Sequence, residues 1–599
     1  MKSAALIAAL AVLLYGNTFG HNYALDDQIV ITGNSYTLSG IAGIGSLLST
    51  DSFTGFVGDS SATVAGGRYR PLSLVSFAIE QAIFGGNPYI SHIINVLLFA
   101  LSSVLIYYLL LHLRTPQRAA FVCALLFVVH PIHTEVVANI KGRDELLALG
   151  LGLLALRLVS ARPIAAAFAL FAALLAKEHA IVFLPLAALA LLGESHRRLI
   201  PMAISTALFL IIRQLIVGNR PTVEITQILN DPFLHASLAE HSATAFACLS
   251  RYLKLLVWPH PLTVDYYPFH ISLSSWTSPL AWFGLLSTLA IAISAICGLR
   301  KRWPAALPLL LYLLPMLIIA NLFFSVGTFM AERFLYLPSL GFCWLLALAS
   351  QRLRTPQLVP LLGLVLIAGS ILTVRRNFDW KDNFSLYVAD SATSPRGLKS
   401  NAGAGAEYLM AAQRSEDPVE RKALLEHAVR HLSLVVSLDP SYLTAAEVLA
   451  QAQFELDPAT GIATYEAIRK ANSNRYNVNH RLGRWYQQQQ DYAKAVPVFR
   501  DALAARPESS AAKFNLAVAL LGLGPQQAAE ALPLLQDVTQ ERPDFAHGYK
   551  NLGLAHYHLG DLSAAIEALT RAVELEPSDA RLVEFLERVR SEFAKANQQ

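Results

Sequence analysis

The chain has 599 residues, 54% of them hydrophobic and only 15% charged, with a mean hydropathy of +0.43. Such a composition excludes an ordinary soluble multidomain protein and implies several membrane spans. A net charge of +4 without any basic run excludes a nucleic-acid partner, and four cysteines set singly in apolar stretches exclude a disulfide framework or a zinc site.

In chain order, the apolar run that opens at Ala4 lacks a small-x-small cleavage site and reads as a retained signal anchor. Ten further runs follow, near 89–113, 119–136, 145–160, 163–177, 179–193, 199–217, 278–298, 304–323, 333–350 and 357–374. Together they predict an all-α polytopic bundle of roughly eleven spans over 1–374. The connections that carry Arg114 and Arg118, Arg157 and Arg162, Arg197 and Arg198, Arg300 to Arg302, and Arg352 and Arg354 are expected on the cytoplasmic side. Keeping that assignment makes 240–258, with Arg251 and Lys254, an interfacial or re-entrant helix on the outer side with its apolar face in lipid. Residues 71–84, in the first outer loop, have the spacing of a helix lying along the membrane plane.

After a connector over 375–399, residues 400–599 repeat a pattern of paired helices. Leu482, Gly483, Tyr486, Ala495, Phe499, Ala502 and Pro507 recur as Leu552, Gly553, Ala565, Leu569, Ala572 and Pro577. Pro507, Pro543 and Pro577 lie 36 and 34 residues apart, the period of tetratricopeptide repeats. About five repeats over 400–578 and a capping helix over 579–595 predict an α-solenoid with a concave surface for an extended peptide.

The unusual polar residues fall in the segments expected outside. The adjacent Asp26 and Asp27 in "HNYALDDQIV" follow the first span; they read either as a helix cap turned to water or as a site carboxylate pair. "HPIHTE" supplies His130, His133 and Glu135, but Pro131 interrupts the helical spacing that a metal site of this type needs, so no metal is expected. Two readings compete for His130, a backbone-bonding end of a span or a ligand contact. Arg143 and Asp144 in "GRDELL" read as a loop-pinning ion pair or as a phosphate contact, and Glu332 and Arg333 in "AERFLYLP" divide the same way. Arg333 is the better phosphate candidate, because a guanidinium can grip phosphate oxygens with two nitrogens. Arg70, His92, Asn95 and Asp265 are possible supports, with helix packing the default for Asn95, and Lys177 and Glu178 stand outside the core of the site.

"YRPLSLVSFAIEQAIFGGNPYISHIINVLL", "FVVHPIHTEVVANIKGRDELLAL", "AERFLYLPSLGF" and "RRNFDWKDNFSLY", followed by the repeats, resemble the transmembrane O-mannosyltransferases with tetratricopeptide repeats. These are GT-C-class, polyprenol-dependent glycosyltransferases. The resemblance implies transfer of a hexose, mannose in that family, from a polyprenyl-phosphate carrier to Ser or Thr hydroxyls of proteins on the non-cytoplasmic side; short loops favour a bacterial or archaeal inner membrane. It implies that an acidic pair in the first outer loop supplies the base, carried here by Asp26 with Asp27 as its neighbour, or in the reverse order. His130, His133, Glu135, Arg143, Asp144, Glu332 and Arg333 would contact the donor, and no cofactor is needed because the donor is already activated. Only over 219–240 does the sequence match the family loosely. The competing expectation is a membrane-anchored repeat scaffold without catalysis, and a transporter is a third.

Overall fold

A computed structural model describes the chain apart from residues 59–66, 192–194, 219–227, 230, 324 and 598–599. Much of the loosely matching 219–240 segment thus lies outside the described residues. Every regular element among the described residues is a helix. The chain forms two units, Met1–Glu407 and Tyr408–Gln599.

Among the described residues of the first unit six helices are long and apolar enough to cross a membrane: Lys2–Gly20, Pro88–His112, His196–Val217, Pro279–Lys301, Glu332–Arg352 and Thr355–Asp379. A seventh span arises if Gln117–Val129 and Pro131–Val137, bent by 56°, act as one. The bend has a local cause. Pro131 cannot donate to the helix ladder, and His130 Nδ1 accepts the Ile132 N–H instead, at 3.3 Å.

The expected count of eleven is therefore not met. The runs at 145–160, 163–177 and 304–323 fold as helices of 16, 14 and 14 residues, and 179–193 holds one of only eight. At 1.5 Å per residue the longest of these reaches about 24 Å, short of a ~30 Å hydrocarbon core. One face of each is packed into protein, with Leu153, Leu170, Ala173 and Leu174 fully buried, although Ile164 and Phe168 of the second stay exposed. Conversely, Thr355–Asp379 turns Val359, Leu364 and Ile367 outward, as an acyl-chain solvent allows.

The Leu238–Val257 helix also differs from expectation. Its apolar face packs on protein, with Leu249, Tyr252, Leu255 and Leu256 against Phe233, Tyr266, Tyr312 and Phe329. Gly284 permits the close approach of the next long helix, since a Cβ there would stand 1.8 Å from the Phe246 carbonyl oxygen. The amphipathic pattern is thus explained by burial in the bundle. Residues 71–84 do form a helix, Pro71–Phe84, which leaves Ile79, Ile83 and Phe84 exposed.

Residues 375–399 lie within the first unit and are mostly helical, at the end of Thr355–Asp379 and in Asn383–Thr393. The second unit continues as Pro418–Leu438, then the pairs Leu443–Leu456 with Pro458–Ala471, Tyr476–Gln488 with Tyr492–Ala505, Ser510–Leu523 with Ala528–Glu541, and Ala546–His558 with Leu562–Leu575. Ala580–Ala596 closes the array. Asp457, Asp491, Ser509, Asp561 and Asp579 each cap a helix by accepting backbone N–H groups. Gly483 lets paired helices touch, for a Cβ would meet the Phe499 ring at 2.7 Å.

Candidate functional site

Alternation of helix direction gathers one set of helix ends. The first long helix ends before His21, Pro88–His112 begins near His92 and Asn95, Gln117–Val129 ends at His130, Arg143–Leu158 begins at Arg143, and Pro163–Ala176 ends before Lys177. Glu332 and Arg333 open the helical segment that leads into Tyr336–Ala349. Most of the expected polar residues therefore share one end of the bundle, whereas Arg114, Arg118, Arg157, Arg162 and Arg352 stand at the opposite helix ends.

The two adjacent aspartates have different surroundings. Asp27 is 1% exposed. Its Oδ2 accepts the Ala24 N–H at 2.9 Å and its Oδ1 the Lys141 N–H at 2.7 Å, so both oxygens are used in tying two loops together. Burial raises its pKa to about 7, against the pull of those two N–H groups. Asp26 keeps 35% of its side chain exposed and faces Lys141 Nζ at 3.8 Å. Neither aspartate caps a helix with its side chain. Leu25 before them has φ +52, a left-handed conformation that costs about 1 kcal/mol for such a residue, and Asn383 Oδ1 fixes it by accepting the Leu25 N–H at 2.7 Å.

Around Asp26 the structure assembles a mixed-charge cluster from segments far apart in the chain. Lys141 Nζ lies 3.8 Å from Asp144 Oδ2. That oxygen also takes Arg70 at 3.1 Å and Lys177 at 3.1 Å. Arg70 Nε donates to Glu178 at 2.9 Å, and Lys177 also reaches Glu145 at 2.5 Å. Arg333 binds Glu135 through its side chain and through its backbone N–H, the latter at 2.7 Å, and its charge acts on Lys141. Arg333 is 24% exposed and Arg70 20%, so neither guanidinium is fully enclosed. Burial alone would lower the Arg70 pKa, but Glu178 and Asp144 outweigh it and hold it above the ordinary value.

Other expected contacts are committed to the protein's own frame. Arg143 is fully buried, and its guanidinium binds Glu80, Asn95 Oδ1 at 2.8 Å, Ser76 Oγ at 3.1 Å and the Ser91 carbonyl at 3.1 Å, with Phe77 beneath it. It pins the loop, as one of the two readings had it, but its partner is Glu80 and not Asp144. Asn95 Nδ2 donates to the Asn139 and Ile140 carbonyls, at 3.2 and 3.1 Å. His130 Nε2 meets the Leu256 carbonyl at 3.0 Å, the backbone-bonding alternative. His133 is fully buried among Phe99, Phe127 and Tyr336 with Nε2 on Ser339 Oγ at 2.8 Å, which turns it away from the charged end. His92 is buried edge-on to His21.

Glu332 and Asp265 belong to a neighbouring group. Glu332 Oε1 accepts the Thr263 N–H at 2.5 Å and the Tyr266 hydroxyl at 2.7 Å. Asp265 Oδ2 accepts the Ser400 N–H at 2.7 Å, and burial pushes its pKa to about 6. No cluster of three or more metal-ligating side chains exists among the described residues. Sequence reasoning missed Lys141, Glu145, Glu80 and His179, whose Nε2 lies 3.3 Å from Glu145. The readable signal was Glu80, a lone acid on the apolar face of "VSFAIEQAIF".

An all-helical fold with several membrane-length apolar helices, a charged cluster at their ends and a repeat solenoid defines a polytopic membrane protein with a tetratricopeptide array. Tetratricopeptide-repeat family models match residues 480–530 and 546–579. Across two thirds to three quarters of its length the chain is a homologue of the protein O-mannosyl-transferases. It is 27% identical over 463 residues to Protein O-mannosyl-transferase F38B6.6 of Caenorhabditis elegans, covering 74% of this chain and 63% of that protein. It is 25% identical over 520 residues to human Protein O-mannosyl-transferase TMTC3, covering 75% and 55%. A shorter segment of 154 residues is 36% identical to mouse TMTC1, covering 26% and 16%. The chain thus spans about three fifths of the length of such relatives.

Proposed function

We propose that the protein transfers a hexose, mannose by the name its relatives bear, from a polyprenyl-phosphate carrier to Ser or Thr hydroxyls of proteins. The observation that carries this reading is the convergence of Asp26, Arg70, Lys141, Asp144 and Arg333 from separate segments at one end of a membrane-type bundle. Asp26, the more exposed of the two aspartates, takes the proton of the acceptor hydroxyl. The hydroxyl oxygen attacks the anomeric carbon, the bond from that carbon to the phosphate oxygen breaks, and the electron pair leaves with the polyprenyl monophosphate. Arg333 and Arg70 offset the charge that develops on the phosphate. By analogy with the relatives the displacement inverts the anomeric centre. Asp27 positions the loop and does not act on substrate.

The basic residues at the opposite helix ends support a non-cytoplasmic site, in this reading on the periplasmic side of a bacterial inner membrane. The repeats present the acceptor polypeptide. Asp26→Asn is expected to lower transfer by about 10²- to 10⁴-fold, the range for loss of a general base. Glycopeptide mass spectrometry on cells carrying wild type or Asp26→Asn measures this. Undiminished glycosylation in Asp26→Asn cells would exclude Asp26 as the base, and unchanged glycopeptides on deletion of the whole gene would leave the scaffold reading.

A further inference from the structure

Among the described residues, one cation of the cluster has no hydrogen bond for its charge. Arg70 and Lys177 each donate to carboxylates at 3.1 Å or less, Arg333 is held by Glu135, and Arg143 by Glu80. Lys141 Nζ stands 3.8 Å from Asp26 and 3.8 Å from Asp144, too far for a hydrogen bond to either. Its backbone is nevertheless locked. The Lys141 N–H donates to Asp27 Oδ1 and to Asn139 Oδ1, and Asn95 holds the Asn139 and Ile140 carbonyls. Gly142 fits there only because it lacks a Cβ, which would lie 2.1 Å from the Val136 carbonyl oxygen. A fixed Cα therefore carries a flexible four-carbon stem with its ammonium parked between two carboxylates.

Building on the donor class proposed above, we infer that Lys141 is the phosphate-following cation of the site. It rests between Asp26 and Asp144. With donor present it turns to a phosphate oxygen, forms the charge-assisted bond it lacks, and leaves Asp26 to the acceptor hydroxyl. Bond cleavage converts a phosphodiester monoanion into a monoester dianion, so this ammonium binds the leaving group more strongly than the donor. An interaction that strengthens along the reaction raises kcat more than it lowers KM.

The experiment uses the full-length protein in detergent and a short-chain polyprenyl monophosphate as probe, read by calorimetry, with melting temperature as the folding control. Lys141→Met, close in shape, is expected to weaken the probe about tenfold or more, while Lys141→Arg stays within a few-fold of wild type. In turnover with lipid-linked hexose, Lys141→Met should lose kcat more than donor KM, with acceptor KM unmoved. Asp26→Asn should tighten the probe several-fold when Lys141 is present and less in the Lys141→Met background, the coupling expected of groups that compete. Equal probe affinity in wild type and a folded Lys141→Met overturns the assignment. A wild-type protein that binds no polyprenyl monophosphate overturns the donor class itself, and the role of Lys141 with it.

Discussion

Asp26 and Asp27 are the same residue type at consecutive positions, yet their surroundings divide them. Removing the Asp27 carboxylate strands the Ala24 N–H and leaves the Lys141 N–H only its longer bond to Asn139 Oδ1, so Asp27→Ala should destabilise the fold by about 1 to 3 kcal/mol and lower transfer only through misplacement of Lys141. The pH dependence has a definite sign. Its pKa is raised from 3.8 to about 7 on folding, so the folded state holds the proton more tightly than the unfolded chain. Stability from this group is fully present below pH ~4 and is lost as pH rises through about 7. The wild-type melting temperature should fall between pH 5 and pH 8, and the fall should be smaller in Asp27→Ala. Equal slopes in the two proteins would remove Asp27 as its source. None of this was legible in the sequence, where the pair carries no mark of which member faces inward; that depends on Lys141, 114 positions away.

At the scale of elements, the buried contact between Arg143 at the start of its helix and Glu80 on Pro71–Phe84 fastens a short helix of the first loop to the bundle. A buried pair contributes little net stability, but loss of one partner is severe because the other charge stays buried. Glu80→Ala should therefore cost about 3 to 5 kcal/mol, while the double variant Glu80→Ala with Arg143→Met should recover much of that loss. Thermal melts of the four proteins in detergent test it, and additive losses would refute the pairing as the cause. Helix content and the presence of the repeats were readable because periodicity and turn prolines are local signals. The span count was not. An apolar run reads alike whether lipid or protein surrounds it, and the helix at 163–176 has the composition of a span with the length of a core helix. The same ambiguity turned the apolar face of 240–258 toward lipid in the sequence reading, whereas it packs against Tyr266 and Phe329.

For the molecule as a whole, two separately cored units imply separable roles. The second unit holds its own buried set, including Leu482, Phe499, Leu516 and Leu535, and its exposed inter-repeat pairs, such as Arg500 with Glu530 at 2.8 Å, add only about 0 to 1 kcal/mol each. Repeat stability must then come from helix-on-helix packing, and Gly483 sits at the tightest part of one such contact. Gly483→Leu should drive a side chain into the Phe499 ring and unfold the central repeats, since overpacking of a closed contact leaves no room for relaxation. If the repeats present the acceptor while the first unit holds the donor, this variant should lose transfer to folded protein acceptors while retaining wild-type affinity for polyprenyl monophosphate. Circular dichroism should report the lost repeat helices. Loss of probe binding together with the repeats would mean that the units do not divide the substrates between them, and retention of full protein transfer by an unfolded array would remove the repeats from acceptor recognition.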